Sequence, residues 1–215
     1  WDERKARSGK PNGTKVRGVG VAVSTFVAGS TGFDGLFVIK PDGHMYINTG
    51  VGNLGTESYS DTMRVAAEMM GMPWEKVVLT WGNTANNLPW SCVSGGSQTI
   101  HAHTRAAHAA ASDAIKKCQE IAAKTLGGKP EDYVLENERV QRRGGAGMTL
   151  AQVAQKAIEL GGRYDGHEAP EDINAFTKRS VANLAGQGLM GVGRDSDKRD
   201  GASYSFVAGF AEVEV

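Results

Sequence analysis

Leu36-Phe37-Val38-Ile39-Lys40-Pro41-Asp42-Gly43-His44-Met45-Tyr46-Ile47-Asn48 is the stretch on which the fold turns. Two apolar runs flank Pro41-Asp42-Gly43, whose proline presets φ and whose glycine accepts a left-handed backbone, so the spacing predicts a hairpin. Past a short loop, Met63, Ala66, Ala67 and Met70 recur at i, i+3, i+4 and i+7, which predicts a helix over residues 58–70. Ser58 is placed to cap that helix, Asp61 favours its first turn, and Gly71 and Pro73 end it. Residues 77–80 read as a short strand. Upstream, Arg17-Gly18-Val19-Gly20-Val21-Ala22-Val23 reads as a largely apolar strand whose glycines permit close backbone approach.

Downstream, a polar loop over residues 82–97 feeds a long helix of roughly residues 98–125 that Gly127-Gly128 stops. Ala102, Ala106, Ala107, Ala109, Ala110, Ala111 and Ala114 allow that helix to pack very close to a sheet or another helix. Residues 133–140 read as one strand. Thr149-Leu150-Ala151-Gln152 is a capping box that opens a helix ending at Leu160. Residues 163–201 read as loop with one weak helical stretch, and residues 204–215 as a final strand. Strands alternate with helices, so the expected class is α/β (α+β), with mixed sheets and packed helices. Residues 1–15, polar and carrying Gly9, Pro11 and Gly13, read as a linker. Residues 16–215 read as one domain segment, with a break into two subdomains expected near residues 127–148.

Composition narrows the function classes. The 24 basic and 24 acidic side chains cancel, whereas a nucleic-acid binder carries a basic excess. No run approaches the ~18 apolar residues of a membrane span. Two cysteines in 215 residues exclude a disulfide framework and suit a reducing compartment, so a cytoplasmic location is expected. The chain opens on Trp1 with a polar stretch that has no signal-peptide character, and closes on the alternation Ala211-Glu212-Val213-Glu214-Val215. Both ends read as a piece of a longer polypeptide. Glycine is the outlier, at 29 residues, about 13% against a usual ~7%.

Four features bear on chemistry. Gly186-Gln187-Gly188-Leu189-Met190-Gly191 spells a dinucleotide fingerprint, but no strand precedes it and no helix opens at its glycines, so it reads as a turn. His101, His103 and His108 lack the spacing and further donors of a metal site and read as ordinary helix histidines. Cys92 is a lone loop cysteine, more in keeping with structure than with nucleophilic catalysis. The informative pair is Asn53-Leu54-Gly55-Thr56-Glu57 and Ser94-Gly95-Gly96-Ser97-Gln98-Thr99. Each presents small residues, backbone N–H groups and hydroxyls at a helix N-terminus, which suits a phosphate-bearing anion. Two capped helices with no ligand would account for the same residues equally well.

At these loops the chain resembles a known family. Asp42-Gly43, then Gly50-Val51-Gly52-Asn53-Leu54-Gly55-Thr56-Glu57, Ala66-Ala67-Glu68, Gly71-Met72-Pro73 and Val77 resemble the molybdenum-cofactor-binding part of the xanthine oxidase (molybdenum hydroxylase) large subunit. Gly82-Asn83-Thr84 looks like the family's Gly-Asp-Thr, and Pro89 with Gly95-Gly96-Ser97-Gln98-Thr99 like its Gly-Ser-Arg-Ser/Thr segment. Arg17-Gly18-Val19-Gly20 resembles its Arg-Gly-Ile-Gly strand, and Tyr204-Ser205-Phe206 with residues 212–215 a strand near its end. The order and spacing carry the resemblance over nearly the whole chain.

The resemblance implies a segment that binds molybdopterin, possible in its cytosine dinucleotide form, and serves the oxidative hydroxylation of an aldehyde or N-heteroaromatic substrate. The pterin, not side chains, holds molybdenum, so no metal-ligand cluster is expected. Leu54, Gly55 and Thr56 would meet the pterin and metal; Ser94, Gly95 and Gly96 would line the dithiolene side; Ser97, Gln98 and Thr99 would bind the pyrophosphate end. Ser24, Thr25 and Phe26 would approach a small-molecule substrate. The implied partners are the remaining large-subunit segments or chains, with 2Fe-2S and FAD on partner domains or subunits. The family's general-base glutamate, substrate-clamping arginine and glycine-rich phenylalanine loop fall outside the matched region, so no catalytic residue is expected here. Thr56 and Glu57 stand where the family has glutamine and glycine, and Gln98 where it has arginine. Those departures favour the alternative, a structural subunit that keeps the fold and has lost the cofactor. An unrelated phosphate-binding α/β enzyme is the third reading.

Overall fold

The computed structural model describes residues 1–29, 32–195 and 203–215, in two compact units: Trp1–Gly29 with Arg199–Val215, and Ser30–Lys198. The chain begins with helix α1 (Asp2–Arg7) and strands β1 (Pro11–Asn12) and β2 (Lys15–Ala28). It continues through β3 (Asp34–Ile39), β4 (Met45–Asn48), α2 (Ser58–Met69), β5 (Val77–Thr80) and α3 (Thr99–Leu126). Then come β6 (Tyr133–Glu136), β7 (Arg139–Arg142), β8 (Gly147–Thr149), α4 (Leu150–Leu160), α5 (Ala175–Leu184) and β9 (Leu189–Arg194), and β10 (Ser203–Glu214) closes it. Residues 1–15, which read as a linker, thus carry a helix and a short strand. Residues 127–148, where the sequence suggests a subdomain break, fall inside the larger unit. No described helix is long and apolar enough to cross a membrane.

The smaller unit is a long antiparallel ribbon of β2 and β10, with β1 pairing only at the start of β2. At its polar end Lys15 and Arg17 both pair with Glu214, each at 2.6 Å, and Arg4 pairs with Glu212.

The larger unit is built on a four-stranded sheet ordered β5-β4-β3-β9, parallel only between β4 and β5. The pleat sends alternate side chains to opposite faces. Phe37, Ile39, Met45, Ile47 and Leu189 enter a core with α2, α3 and α4, while Leu36, Val38, Met190 and Val192 pack with Ile173 and Val181 around α5. The alanine face of α3 lies directly on the sheet: a Cβ added at Gly35 of β3 would come within 2.3 Å of the Ala106 carbonyl oxygen. Lys117, buried in that contact, donates to Asp113 and to the Met190 carbonyl of β9. Burial, with a smaller push from the Arg163 charge, holds its ammonium below the usual lysine range, and the Asp113 carboxylate partly offsets this.

The hairpin, α2, α3 and the α4 capping box follow the sequence reading, with Thr149 and Gln152 exchanging both cap hydrogen bonds. Besides residues 1–15, two segments differ from it. Residues 133–140 are not one strand: Asn137 and Glu138 both adopt positive φ and turn the chain between β6 and β7. The fingerprint stretch ends in β9, which pairs along the whole of β3. It is a turn followed by a strand, with no helix at its glycines, and the charged segment after Asp195 lies outside the described residues.

Candidate functional site

The two glycine-bearing loops grow from one small core. Val51 at the base of the first loop, Cys92 in the second, Phe33 before β3, and Ala102 and Ala106 of α3 pack together. Gly50 is required there, because a Cβ would sit 2.6 Å from the Pro89 carbonyl oxygen and 2.7 Å from Ser91 Oγ. Thr49 Oγ1 lies 3.2 Å from His103 Nε2 and also accepts from the Val51 N–H at 3.2 Å. His103 is therefore a buried core histidine, and burial pushes its imidazole pKa down to about 3. His101 faces Arg105, and His108 is exposed. Among the described residues no group of histidine, cysteine or carboxylate side chains could hold a metal ion.

The first loop is an Asx turn: the Asn53 carboxamide oxygen accepts from the Gly55 N–H at 2.8 Å, and its Nδ2 donates to Glu57 Oε1 at 3.0 Å. Leu54, Gly55 and Thr56 are exposed at its tip. Ser58 is not the cap of α2. It is the first helical residue, buried and hydrogen-bonded to Thr56 Oγ1, while Glu57 holds the cap position in a left-handed conformation with no side-chain cap. The Glu57 carboxylate is engaged by Asn53 and by the Tyr59 hydroxyl, whose own pKa that hydrogen bond raises.

The second loop exposes Ser94, Gly95, Gly96 and Ser97, with Gly96 and Ser97 both at positive φ. Gln98 departs from the expectation of a ligand-facing side chain: it is buried, and its Nε2 donates to the Val93 carbonyl at 2.7 Å, closing the loop on itself. Its backbone opens α3, again with no side-chain cap and no acidic residue in the first turn. Thr99 follows, half-buried. The contrast with α4 and α5 is informative, since Thr149 and Asn174 cap those helices from within the chain. Three helices lack a side-chain cap, α1, α2 and α3, and the last two are those that the loops open. The α3 N-terminus can therefore serve an external anion, through backbone N–H groups and the Ser94, Ser97 and Thr99 hydroxyls, whereas Glu57 and Asp61 place two carboxylates at that of α2. That donor set suits a pyrophosphate.

Two positioning residues have no signal in the sequence. Asp34, fully buried at the start of β3, accepts from Thr177 Oγ1 at 2.6 Å and from the Asn174 N–H at 2.8 Å. Thr177 in turn accepts from the Trp90 N–H at 2.8 Å, and Ser180 donates to the Leu88 carbonyl, so α5 holds the stem of the second loop. Asp34 and Thr177 are 143 residues apart, beyond any local motif. Ser24, Thr25 and Phe26 lie exposed on β2 of the smaller unit, a different unit from the two loops.

Comparison with known proteins identifies the family and the fold. A family model described as a molybdopterin cofactor-binding domain matches residues 1–215. The aldehyde oxidoreductase molybdenum-binding subunit PaoC of Escherichia coli O157:H7 is 32% identical over 133 residues, 62% of this chain and 16% of that protein. The fold is shared with the Cu,Mo-CO dehydrogenase in its carbon monoxide reduced state (TM-score 0.64, 20% identity, 94% of this chain and 24% of that one). It is shared also with quinoline 2-oxidoreductase of Pseudomonas putida 86 (TM-score 0.58, 20% identity, 100% of this chain and 26% of that one). The chain thus spans about a sixth of that curated relative and about a quarter of those structures.

Proposed function

The chain belongs to the molybdopterin cofactor-binding domain family, and from that premise we propose that it is the cofactor-holding segment of a larger molybdenum hydroxylase subunit. The single observation that carries the site is the α3 N-terminus, which has no side-chain cap behind an exposed Ser94–Ser97 loop while α4 and α5 are capped internally. In this reading Ser97, Thr99 and the N–H groups of residues 96, 97 and 99 hold the pyrophosphate end of molybdopterin, the Gln98 N–H being turned to the Gly95 carbonyl. Gln98 acts from beneath, shaping the loop through Val93. Ser94, Gly95 and Gly96 line the dithiolene side, and Leu54, Gly55 and Thr56 close over the pterin. Bound there, the cofactor would supply two-electron oxidation coupled to hydroxylation at an electrophilic carbon. This chain's residues bind and orient it and, through the tightly packed loop bases, exclude water from its anionic end.

No residue of this segment is assigned to proton transfer. The general base, the substrate clamp and most of the substrate pocket belong to other parts of the subunit, with Ser24, Thr25 and Phe26 on the approach. Aldehydes and N-heteroaromatics are the proposed substrates. 2Fe-2S and FAD partners would carry electrons away, in the cytoplasm. The relatives' names support the substrate class: one acts on aldehydes and one on quinoline.

Burial of the Gln98 amide against Val93 favours a second reading, a subunit that keeps the fold without the cofactor, because this side chain offers the ligand nothing. Molybdenum analysis of the purified assembly, with pterin fluorescence after oxidative release, separates the two. The proposal expects close to one molybdenum and one pterin per subunit; absence of both overturns it in favour of the structural reading.

A further inference from the structure

Thr49, the first residue after β4, is fully buried and tied to three segments of the larger unit. Its N–H donates to the Thr80 carbonyl at the end of β5, where the long loop of residues 82–97 sets out. Its Oγ1 accepts from the Val51 N–H at 3.2 Å, at the base of the first loop. The same Oγ1 lies 3.2 Å from Nε2 of His103, in the second turn of α3, the helix that the second loop opens. Gly50, next along the chain, leaves no room for a Cβ against Pro89 and Ser91. One hydroxyl thus stands between the base of the first loop and the helix behind the second.

A threonine hydroxyl has one donor and two acceptor sites, so Thr49 meets Val51 and His103 together with either imidazole tautomer. The apolar cluster of Phe33, Val51, Cys92, Ala102 and Ala106 also holds the loop bases together, but apolar burial has no direction. A hydrogen bond fixes distance and angle as well. We propose that Thr49 is a positioning residue for the cofactor site. It ties the first loop to α3, so that the residues proposed to close over the pterin keep one spacing from those proposed to hold its pyrophosphate. This rests on the reading of the chain as a cofactor-holding segment. A misplacement of about 1 Å at a reacting group costs on the order of 100-fold in rate. A buried hydroxyl that acts only through its neighbours is therefore enough to matter to the reaction.

The test compares Thr49→Val, which removes the hydroxyl, with Thr49→Ser, which keeps it, in the full polypeptide purified as its native assembly. The first readout is the EPR spectrum of Mo(V) after partial reduction. Thr49→Val should shift the line positions, and Thr49→Ser should give those of the wild type. A role in stability alone would lower the amount of cofactor without moving the lines, so unmoved lines in Thr49→Val overturn the proposal. The second readout, amide exchange over residues 51–57, decides the matter if the valine variant loses its cofactor. Thr49→Val should quicken that exchange at least tenfold, with α4 unchanged and Thr49→Ser close to wild type. No change, or equal quickening in α4, overturns the proposal. Molybdenum and pterin are measured in the same wild-type preparation. Their absence overturns the cofactor reading and this role of Thr49 with it, whereas cofactor present with unmoved lines overturns the role alone.

Discussion

Gly35 and Gly193 face one another across β3 and β9, and α3 rests on both. A Cβ at Gly35 would meet the Ala106 carbonyl oxygen at 2.3 Å, and one at Gly193 the Ala109 backbone at 2.8 Å. The helix whose N-terminus opens the proposed pyrophosphate site is thus set in height by two missing methyl groups. Gly35→Ala should cost about 3 kcal/mol, at the upper end of overpacking, and lower Tm on the order of 10 °C. Gly20→Ala, with open space around it, should shift Tm little. Calorimetry of both variants checks the pair.

Ser97→Asp should reduce cofactor retention more than tenfold and leave the thermal midpoint of the chain nearly unchanged, because Ser97 is exposed and aspartate tolerates its left-handed backbone. The added carboxylate repels an anion at the helix N-terminus. Ser97→Asn, neutral and of similar size, should retain the cofactor. Retention is read as pterin fluorescence after oxidative release, and equal values for the two variants would defeat the site assignment.

His103 sets a pH dependence. Its folded pKa, about 3, lies below the ordinary 6.5. As pH falls below 6.5 the unfolded chain takes up a proton that the folded chain refuses. The neutral imidazole's contribution is therefore complete above 6.5 and is lost progressively down to about pH 3. The slope is up to about 1.4 kcal/mol per pH unit. His103→Gln should flatten that part of the stability profile, measured by denaturant unfolding at pH 7, 6, 5 and 4.

Thr177→Val should leave the part-buried Trp90 N–H without its acceptor and take one of two donors from Asp34 Oδ2, which keeps the Asn174 N–H. The orphaned N–H costs about 1–3 kcal/mol. Amide exchange should quicken around Trp90 ahead of global unfolding, whereas Thr177→Ser should restore protection.

The sequence made the hairpin, the long alanine helix and the α4 cap legible because each is decided locally, by turn residues, period or capping chemistry. It concealed β9, since Gly191 ended a stretch that reads as a turn and Gly193 lay in a segment that reads as loop; they are strand residues made small by what lies on them, the Phe37 ring over Gly191 and α3 over Gly193. The β6–β7 turn was hidden for a similar reason, because Glu138 adopts a left-handed backbone that its residue type does not advertise. At the site, the two loops could be found from their glycines and hydroxyls. The inward turn of Gln98 and the Asp34–Thr177 support could not, being tertiary facts between distant positions.

The ribbon joins residues 197 positions apart, Arg17 and Glu214. Its two strands therefore bracket the larger unit in the order of synthesis. At a ribosomal rate of about 5–20 residues per second, β2 waits on the order of 10–40 s for its partner. The larger unit can condense in that interval, and ribbon closure then acts as a final latch. Until it shuts, a valine-rich strand with unpaired edges is exposed to every other nascent chain nearby, which makes the moment of latching the step at which a holdase chaperone would matter most to this protein.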